Sequence, residues 1–416
     1  MWRRYLLWFA HEHVDFRHAE MQSILSMFDI PIKFIENPCI NKPYWIVELP
    51  SEEWARKIAS RSVLLKNCIE LWARAKTESQ LHINLKNALL NKTNKWIIPE
   101  SNGNLSSDCD LCPNDLIQTC CSVDKSYKVV VETFCKHFTM KEKVEKIEKF
   151  SYLPLEGPVK LKNPDVTLSY LEFYGIDPNN VPEKPYDLFF GKWVADGQRD
   201  LIQIHSLKKR QFIGNTSMDA QLSLIMANQA QVNCGDIVLD PFVGSGSLLV
   251  AAAHFGAPYG VREPMEKIGI DRENYTLTEE HLANHVPSKI DYGLTNLYTD
   301  LLSFAARHLN IGRRLITWYP LVREEYKEEH LPSHPCLRLI ANSEQVLSKL
   351  TARRLLTYEK INADVSHVPI EPHAHTHNFR EKLFAMGEIT RKERKEKRAE
   401  EMANEQARAL RKIDVT

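Results

Sequence analysis

The sharpest chemical signal in this chain is the string Ile237-Val238-Leu239-Asp240-Pro241-Phe242-Val243-Gly244-Ser245-Gly246-Ser247-Leu248. An apolar run ends in an acid. A glycine-containing turn comes next and leads into a helix carrying Leu248, Leu249, Val250 and three alanines. Glycines let the backbone turn tightly and approach a ligand closely. The start of the helix offers free N–H groups. Asp240 can accept hydrogen bonds from a cationic or hydroxylated ligand. A lone Gly-x-Gly would be an ordinary strand–turn–helix corner. The whole string is far more specific, and it reads as a cofactor site of the S-adenosylmethionine type.

The second element is Ala257-Pro258-Tyr259-Gly260. It resembles the end of the Asp/Asn-Pro-Pro-aromatic motif of enzymes that methylate exocyclic amines. Such an amine is a poor nucleophile because its lone pair is delocalised. A side-chain oxygen and a backbone carbonyl accept its hydrogens while an aromatic ring stacks on the base. Here Gly256 and Ala257 stand where the acid or amide and the first proline belong. On its own, Pro-Tyr-Gly is an ordinary turn.

Weaker signals lie elsewhere. Cys109-x-x-Cys112 with Cys120-Cys121 has part of a zinc spacing, but no well-spaced histidine, and reads as free surface thiols. His373, His375 and His377 sit in a polar tail. Lys208-Lys209-Arg210 suits either a phosphate contact or a solvated boundary. Trp2, Trp8, Trp45 and Trp72 read as core of the first domain.

These groups need elements to hold them. Arg4 to Ala10 is strand-like, and Phe16 to Phe28 has helical spacing. Tyr44 to Leu49 is β-rich and stops at Pro50. Ser51 then offers an N-cap for a helix through Ala59. Val63 to Trp72 is a further strand, so residues 1–80 read as a ferredoxin-like α+β domain. Residues 81–185 form a second region, with a turn-rich polar insertion near 99–124. Strands come next at Lys128 to Phe134 and Val166 to Glu172. A charged helix runs from Thr139 to Lys149, with Glu142–Lys146 and Glu145–Lys149 as i,i+4 pairs. Pro178 to Pro185 reads as a linker.

From about 205 the style becomes α/β. Thr216-Ser217-Met218-Asp219 is a capping-box-like opening to an apolar helix. Ile237-Val238-Leu239 reads as a buried strand. Leu301 to Leu309 is helical, Gly312 suits its C-cap, and Leu315 to Tyr319 is a strand. Leu337 to Ile340 and Arg354 to Tyr358 pair antiparallel. An α/β region thus spans 205–365, and a charged tail spans 366–416.

The composition sets limits. The 416 residues suit two or three domains, and no apolar run approaches a membrane span. Lys plus Arg equals Asp plus Glu, 54 each, so binding to a polyanion needs a local basic face. Nine scattered cysteines suit a reducing compartment.

The residues resemble a known family, the catalytic subunit of the tRNA guanosine-10 N2-methyltransferase. This is a class I methyltransferase with an RNA-binding THUMP domain. The resemblance rests on Tyr152 to Gly157, Phe190 to Arg199, Lys208 to Ala220, Asp240 to Leu248, Pro258 to Glu263 and His334 to Leu337. It implies a ferredoxin-like plus THUMP α+β half, then a Rossmann-like class I methyltransferase domain. It implies S-adenosylmethionine as cofactor, cytoplasmic tRNA as substrate and a small zinc-containing activator subunit as partner. It implies that Asp240, Phe242, Gly244, Gly246, Thr216 and Ser217 hold the cofactor, and that Lys208, Lys209 and Arg210 meet RNA. Pro258 and Tyr259 are the remnant of the catalytic motif, and the chain itself holds no metal.

One departure dominates. In such enzymes the glycine turn and the Pro-Pro-Tyr motif end the first and fourth strands. Here only the eleven residues Ser247 to Ala257 separate Gly246 from Pro258. That is room for one helix of about 16 Å. It cannot supply the second strand with its ribose-binding acid, the third or fourth strand, or the catalytic acid. The methyltransferase domain is therefore expected to be internally truncated near 257. The resemblance implies methylation of the exocyclic N2 amine of guanosine 10 in tRNA, as catalytic subunit of a two-subunit complex; the alternative is an internally deleted isoform that binds tRNA or the activator but is catalytically impaired.

Overall fold

The computed structural model describes residues 2–90, 114–210, 213–214, 217–257 and 293–363. The chain divides into two compact units, 1–261 and 262–416.

The first unit opens with β1 (Arg3–Phe9), α1 (Arg17–Met27), β2 (Lys33–Phe34), β3 (Tyr44–Leu49), α2 (Glu52–Ala59) and β4 (Leu65–Ala75). These four strands lie in the order β2-β3-β1-β4, all antiparallel. The β-α-β-β-α-β order is the expected ferredoxin-like one. Tyr5 to Phe9 are buried without alternation, because both faces of the sheet are covered. Ser51 holds the N-cap position of α2, but its side chain makes no capping bond. Trp8, Trp45 and Trp72 are buried as expected, whereas Trp2 is 38% exposed with Lys33 Nζ 4.4 Å above its ring.

Next come α3 (Glu78–Leu89), α4 (Asn114–Cys121), β5 (Tyr127–Phe134), α5 (Met140–Glu148), β6 (Val166–Phe173) and β7 (Asp187–Asp196). They extend the same sheet to seven strands, β2-β3-β1-β4-β7-β6-β5. Hence residues 178–185 are not a linker between bodies; they join two neighbouring strands. Gly191 lets β7 sit against β4: a Cβ there would lie 2.1 Å from the carbonyl oxygen of Glu70.

The sheet curls tightly. β1 and β5 are four strand spacings apart, about 19 Å along a flat sheet. Yet the rings of Trp8 and Phe134 lie 5.9 Å apart. Lys66 on β4 likewise reaches Glu132 on β5 at 2.8 Å. The concave side is an apolar core of Leu6, Trp8, Tyr44, Leu71, Phe173 and Phe189. A second core packs Leu81, Leu85 and Ile117 against Trp72, Tyr170 and Phe190. Ile117, Cys120 and Cys121 belong to that core. The cysteines are thus free but buried thiols rather than surface ones, because α4 forms inside the expected polar insertion.

Charge pairing along α5 also departs from the expected pattern. Glu142 closes a capping box with Thr139 instead of reaching Lys146. Lys146 instead meets the buried Glu172 at 2.5 Å, and Lys149 meets Glu78 at 3.0 Å. A carboxylate in the first helical turn gains more from uncapped N–H groups than from an exposed lysine.

The unit ends with α6 (Asp200–Ile204), a short 3-10 turn at Leu207–Lys209, α7 (Ala220–Gln229) and α8 (Ser247–His254). All ten residues of α7 are buried, and it packs against α1 and α8. Its N-cap is Asp219, whose carboxylate accepts from the amides of Gln221 and Leu222; Thr216, which opens the expected capping-box-like pattern, lies outside the described residues. A buried polar network fixes α7 to the sheet domain. Asn228 Nδ2 donates to Glu20 at 2.8 Å, and Arg61 Nε donates to Asn228 Oδ1 at 3.1 Å. Glu20 also accepts from Ser62 Oγ and from the amides of Val63 and Leu64.

The second unit holds α9 (Leu294–His308) and a three-stranded sheet. The strands are β8 (Arg314–Val322), β9 (Leu337–Val346) and β10 (Thr351–Lys360), in the order β8-β10-β9. The expected pairing of 337–340 with 354–358 is present, and β10 is antiparallel to both neighbours. Tyr298, Leu302 and Ala306 of α9 pack on Tyr319, Leu356 and Tyr358. Gly312 (φ 79°) turns the chain into β8; α9 stops earlier and is capped by Leu309.

Candidate functional site

The glycine-rich string lies at the end of the first unit. Ile237 to Leu239, expected as a buried strand, forms none. Ile237 is 93% exposed, Leu239 66% and Phe242 63%. The physical reason is pairing. A strand exists only where a neighbour takes its N–H and C=O groups. In a doubly wound sheet the first strand sits beside the fourth. Among the described residues nothing pairs with 237–239.

The turn itself keeps its local shape. Phe242 N–H donates to Asp240 Oδ1 at 3.0 Å, which turns the chain after Pro241. Gly244 (φ 48°) and Gly246 (φ 75°) take left-handed backbone, which glycine adopts without steric cost. Gly246 N-caps α8 with no side-chain hydrogen bond. Burial pushes the Asp240 carboxyl above its ordinary value, against the Phe242 amide, which favours the charged form.

A hydroxyl cluster ties the turn to the segment before α7. Ser217 Oγ and Ser245 Oγ lie 2.6 Å apart, and the amide of Gly214 donates to Ser217 Oγ at 2.9 Å. Ser247 Oγ accepts from the amide of Met218 at 3.2 Å and from Arg210 at 3.1 Å. The structure thus brings Arg210, Ser217, Ser245, Gly246 and Ser247 together. Thr216, Pro258 and Tyr259 lie outside the described residues, as do Cys109, Cys112 and the tail histidines.

Do these residues fit S-adenosylmethionine? They supply a glycine turn, a helix start and one carboxylate. Asp240 Oδ1 and the serine hydroxyls are already engaged with each other or with the backbone. Nothing lies within 4 Å of where a Gly246 side chain would point, and Phe242 stands in solvent. A nucleoside-sized ligand normally loses most of its surface to a pocket. Beside Arg210 and Ser245 the described residues leave an open cleft and not an enclosed pocket, so by themselves they do not enclose the cofactor.

The basic run is better placed. Lys208 and Lys209 lie on the 3-10 turn and are exposed; Arg210 comes next and is half-buried against α8. Two histidines without a sequence signal stand beside them. His205 Nε2 and His254 Nδ1 are 3.2 Å apart. Burial lowers both rings below their ordinary value. His254 and Arg210 push His205 down further, and Arg61 does the same to His254. The two are separated by 49 positions, so no local motif announces the pair.

Known proteins match both halves of the chain. A family described as "Tmrp11 THUMP N-terminal domain" matches residues 3–100 and 117–199. One described as "RMKL-like, methyltransferase domain" matches residues 208–285. The chain is 37% identical to the tRNA (guanine(10)-N(2))-methyltransferase TRMT11 of Gallus gallus over 462 positions, covering 92% of this chain and 95% of that protein. It is 36% identical to the Homo sapiens protein of the same name over 464 positions, again covering 92% and 95%. The Dictyostelium discoideum protein of that name is 31% identical and covers 86% and 82%. Alignment over 462 positions exceeds the 416 residues of the chain, so the relative holds positions that have no counterpart here. Among solved structures, TrmN from Thermus thermophilus matches with a TM-score of 0.37 and 17% identity, covering 86% of this chain and all of that one.

Proposed function

Because the chain belongs to the tRNA (guanine(10)-N(2))-methyltransferase family, we propose that it engages tRNA within that family's reaction but is impaired in methyl transfer. The reaction taken from the resemblance moves a methyl group from S-adenosylmethionine to the exocyclic N2 amine of guanosine 10. The proposal adopts tRNA as substrate, a small zinc-containing activator subunit as partner and the cytoplasm as setting. No helix among the described residues is long and apolar enough to cross a membrane.

The observation that carries the proposal is the fate of Ile237 to Leu239. The residue before Val238 is 93% exposed where the cofactor-binding strand of a methyltransferase is buried. Asp240, Phe242, Gly244, Gly246, Thr216 and Ser217 then belong to a cofactor site whose walls are not among the described residues. Pro258 and Tyr259 keep the proline and the stacking ring of the catalytic motif. Gly256 and Ala257 beside them have no side chain that can accept a hydrogen from the amine. The curled sheet, by contrast, has intact cores on both faces. It supports an RNA-engaging half that folds normally, with Lys208, Lys209 and Arg210 as phosphate contacts at its border.

The test uses the full chain with its activator, unmodified tRNA and labelled cofactor. We expect tRNA binding without methyl incorporation. Turnover comparable to a chain carrying a relative's segment between Gly256 and Pro258 would overturn the proposal.

A further inference from the structure

Between α6 and α8 lies an open cleft of about 390 Å³. His205, Ser206, Lys209, Arg210 and Ser245 line it together with apolar side chains, and no carboxylate is among the described lining residues. Such a lining is one-sided: every charge it can carry is positive. Arg210 is pinned by its bond to Ser247 Oγ, at the first residue of α8. The first turn of α8 receives no side-chain cap, and the first amide bonded back is Val250, to Gly246. The N–H groups before it point toward the helix start, where an anion is favoured.

We propose that this cleft binds a phosphate group, held by Arg210, Lys209 and the first turn of α8, with His205 gaining a proton as the anion enters. Guanidinium and ammonium donors with backbone N–H groups are the usual partners of phosphate. The phosphate comes either from an RNA backbone or from a free phosphate or nucleotide. The RNA source rests on the tRNA reading above; the pocket itself does not.

The histidine pair makes the binding depend on pH. With one proton between them, one ring nitrogen donates and the other accepts. A single added proton keeps that bond, because protonated His205 still donates Nε2–H to His254. Protonating both rings would set N–H against N–H. His205 faces His254 from α8, with Lys209 and Arg210 from the turn after α6. His254 faces Arg61 from the segment after α2, besides Phe255. All these neighbours are cationic or neutral, so they disfavour a further proton on the empty pair. An entering anion offsets them and raises the affinity of His205 for its proton. By linkage, a phosphodiester, whose single charge is constant over this range, then binds more tightly as pH falls from 8 toward 6.

The experiment tracks the histidine ring signals of the full chain by NMR, with His205 assigned through H205Q. Inorganic phosphate and unmodified tRNA are titrated separately at pH 6 and pH 8. We expect phosphate, but not chloride at equal ionic strength, to shift His205, and the ring to take up its proton at a higher pH with phosphate present than without. K209Q/R210Q should abolish the shift. If RNA is the source, the same variant weakens tRNA binding several-fold and lowers its salt slope by about one. A phosphate shift with unchanged tRNA binding assigns the pocket to free phosphate or a nucleotide. No His205 shift with phosphate and no tRNA defect in K209Q/R210Q overturns the proposal. Wild-type chain that fails to bind tRNA at all would sink the tRNA reading instead, and the phosphate arm would still report on the pocket.

Discussion

At the residue scale, a buried charge cluster locks the curled sheet. Asp187, at the start of β7, accepts from Tyr44 Oη at 2.7 Å and Arg74 Nε at 3.0 Å, and pairs with Lys76 at 2.8 Å. Arg74 also bonds Glu36. Burial alone would push the Asp187 carboxyl up. Arg74, Lys76 and Tyr44 outweigh it and hold the group below its ordinary value of 3.8. A carboxylate held low stabilises the fold above its unfolded pKa, and that stabilisation is lost as pH falls through the folded pKa. Asp187→Ala leaves Arg74 and Tyr44 buried without this partner. It should cost about 3–5 kcal/mol at pH 7, measured by urea unfolding. The gap between wild type and variant should narrow below pH 4. A gap that widens in acid would refute the assignment. Gly191→Ala should also fail to form the native sheet, because its side chain would meet the Glu70 carbonyl; unchanged melting of that variant would refute the close approach.

At the element scale, the string 237–239 is the informative piece. Its apolar composition reads as a buried strand, and composition alone gives no other answer. A strand is a property of two segments, however, and among the described residues no segment pairs with this one. Amides of Ile237 to Asp240 should therefore exchange with solvent within seconds, while those of Tyr5 to Trp8 are protected. Protection of 237–240 equal to that of β1 would contradict the exposed, unpaired segment. Ile237→Ser should change stability by less than about 0.5 kcal/mol. Leu71→Ala, inside the concave core, should cost about 2–5 kcal/mol. Elsewhere, elements with local signals were legible: β3 matches Tyr44 to Leu49, and the antiparallel pair near the end of the second unit forms. Long-range choices were not. Glu142 turns to its cap, Lys146 to a glutamate on β6, and α4 folds inside a stretch rich in turn residues because Ile117 and two cysteines can join a core. His205 and His254 meet only through the packing of the chain after α6 on α8.

At the scale of the whole molecule, an RNA-engaging half is joined, in the proposed reading, to an incomplete methyltransferase domain. The net charge of the chain is zero, so tRNA contact must come from local faces such as that around Lys208 to Arg210. tRNA affinity should accordingly fall steeply with salt, as for any contact built on phosphates. The family motifs were legible in the sequence, because they are matters of order and spacing. The exposure of Ile237 to Leu239 was not, because an apolar run and a glycine turn read the same with or without a paired strand beside them. One measurement tests this account most directly: methyl transfer to unmodified tRNA by the full chain with its activator, beside the same chain carrying a relative's segment between Gly256 and Pro258. The account predicts that both bind tRNA and that only the restored chain methylates guanosine 10. Equal turnover by the two would contradict it.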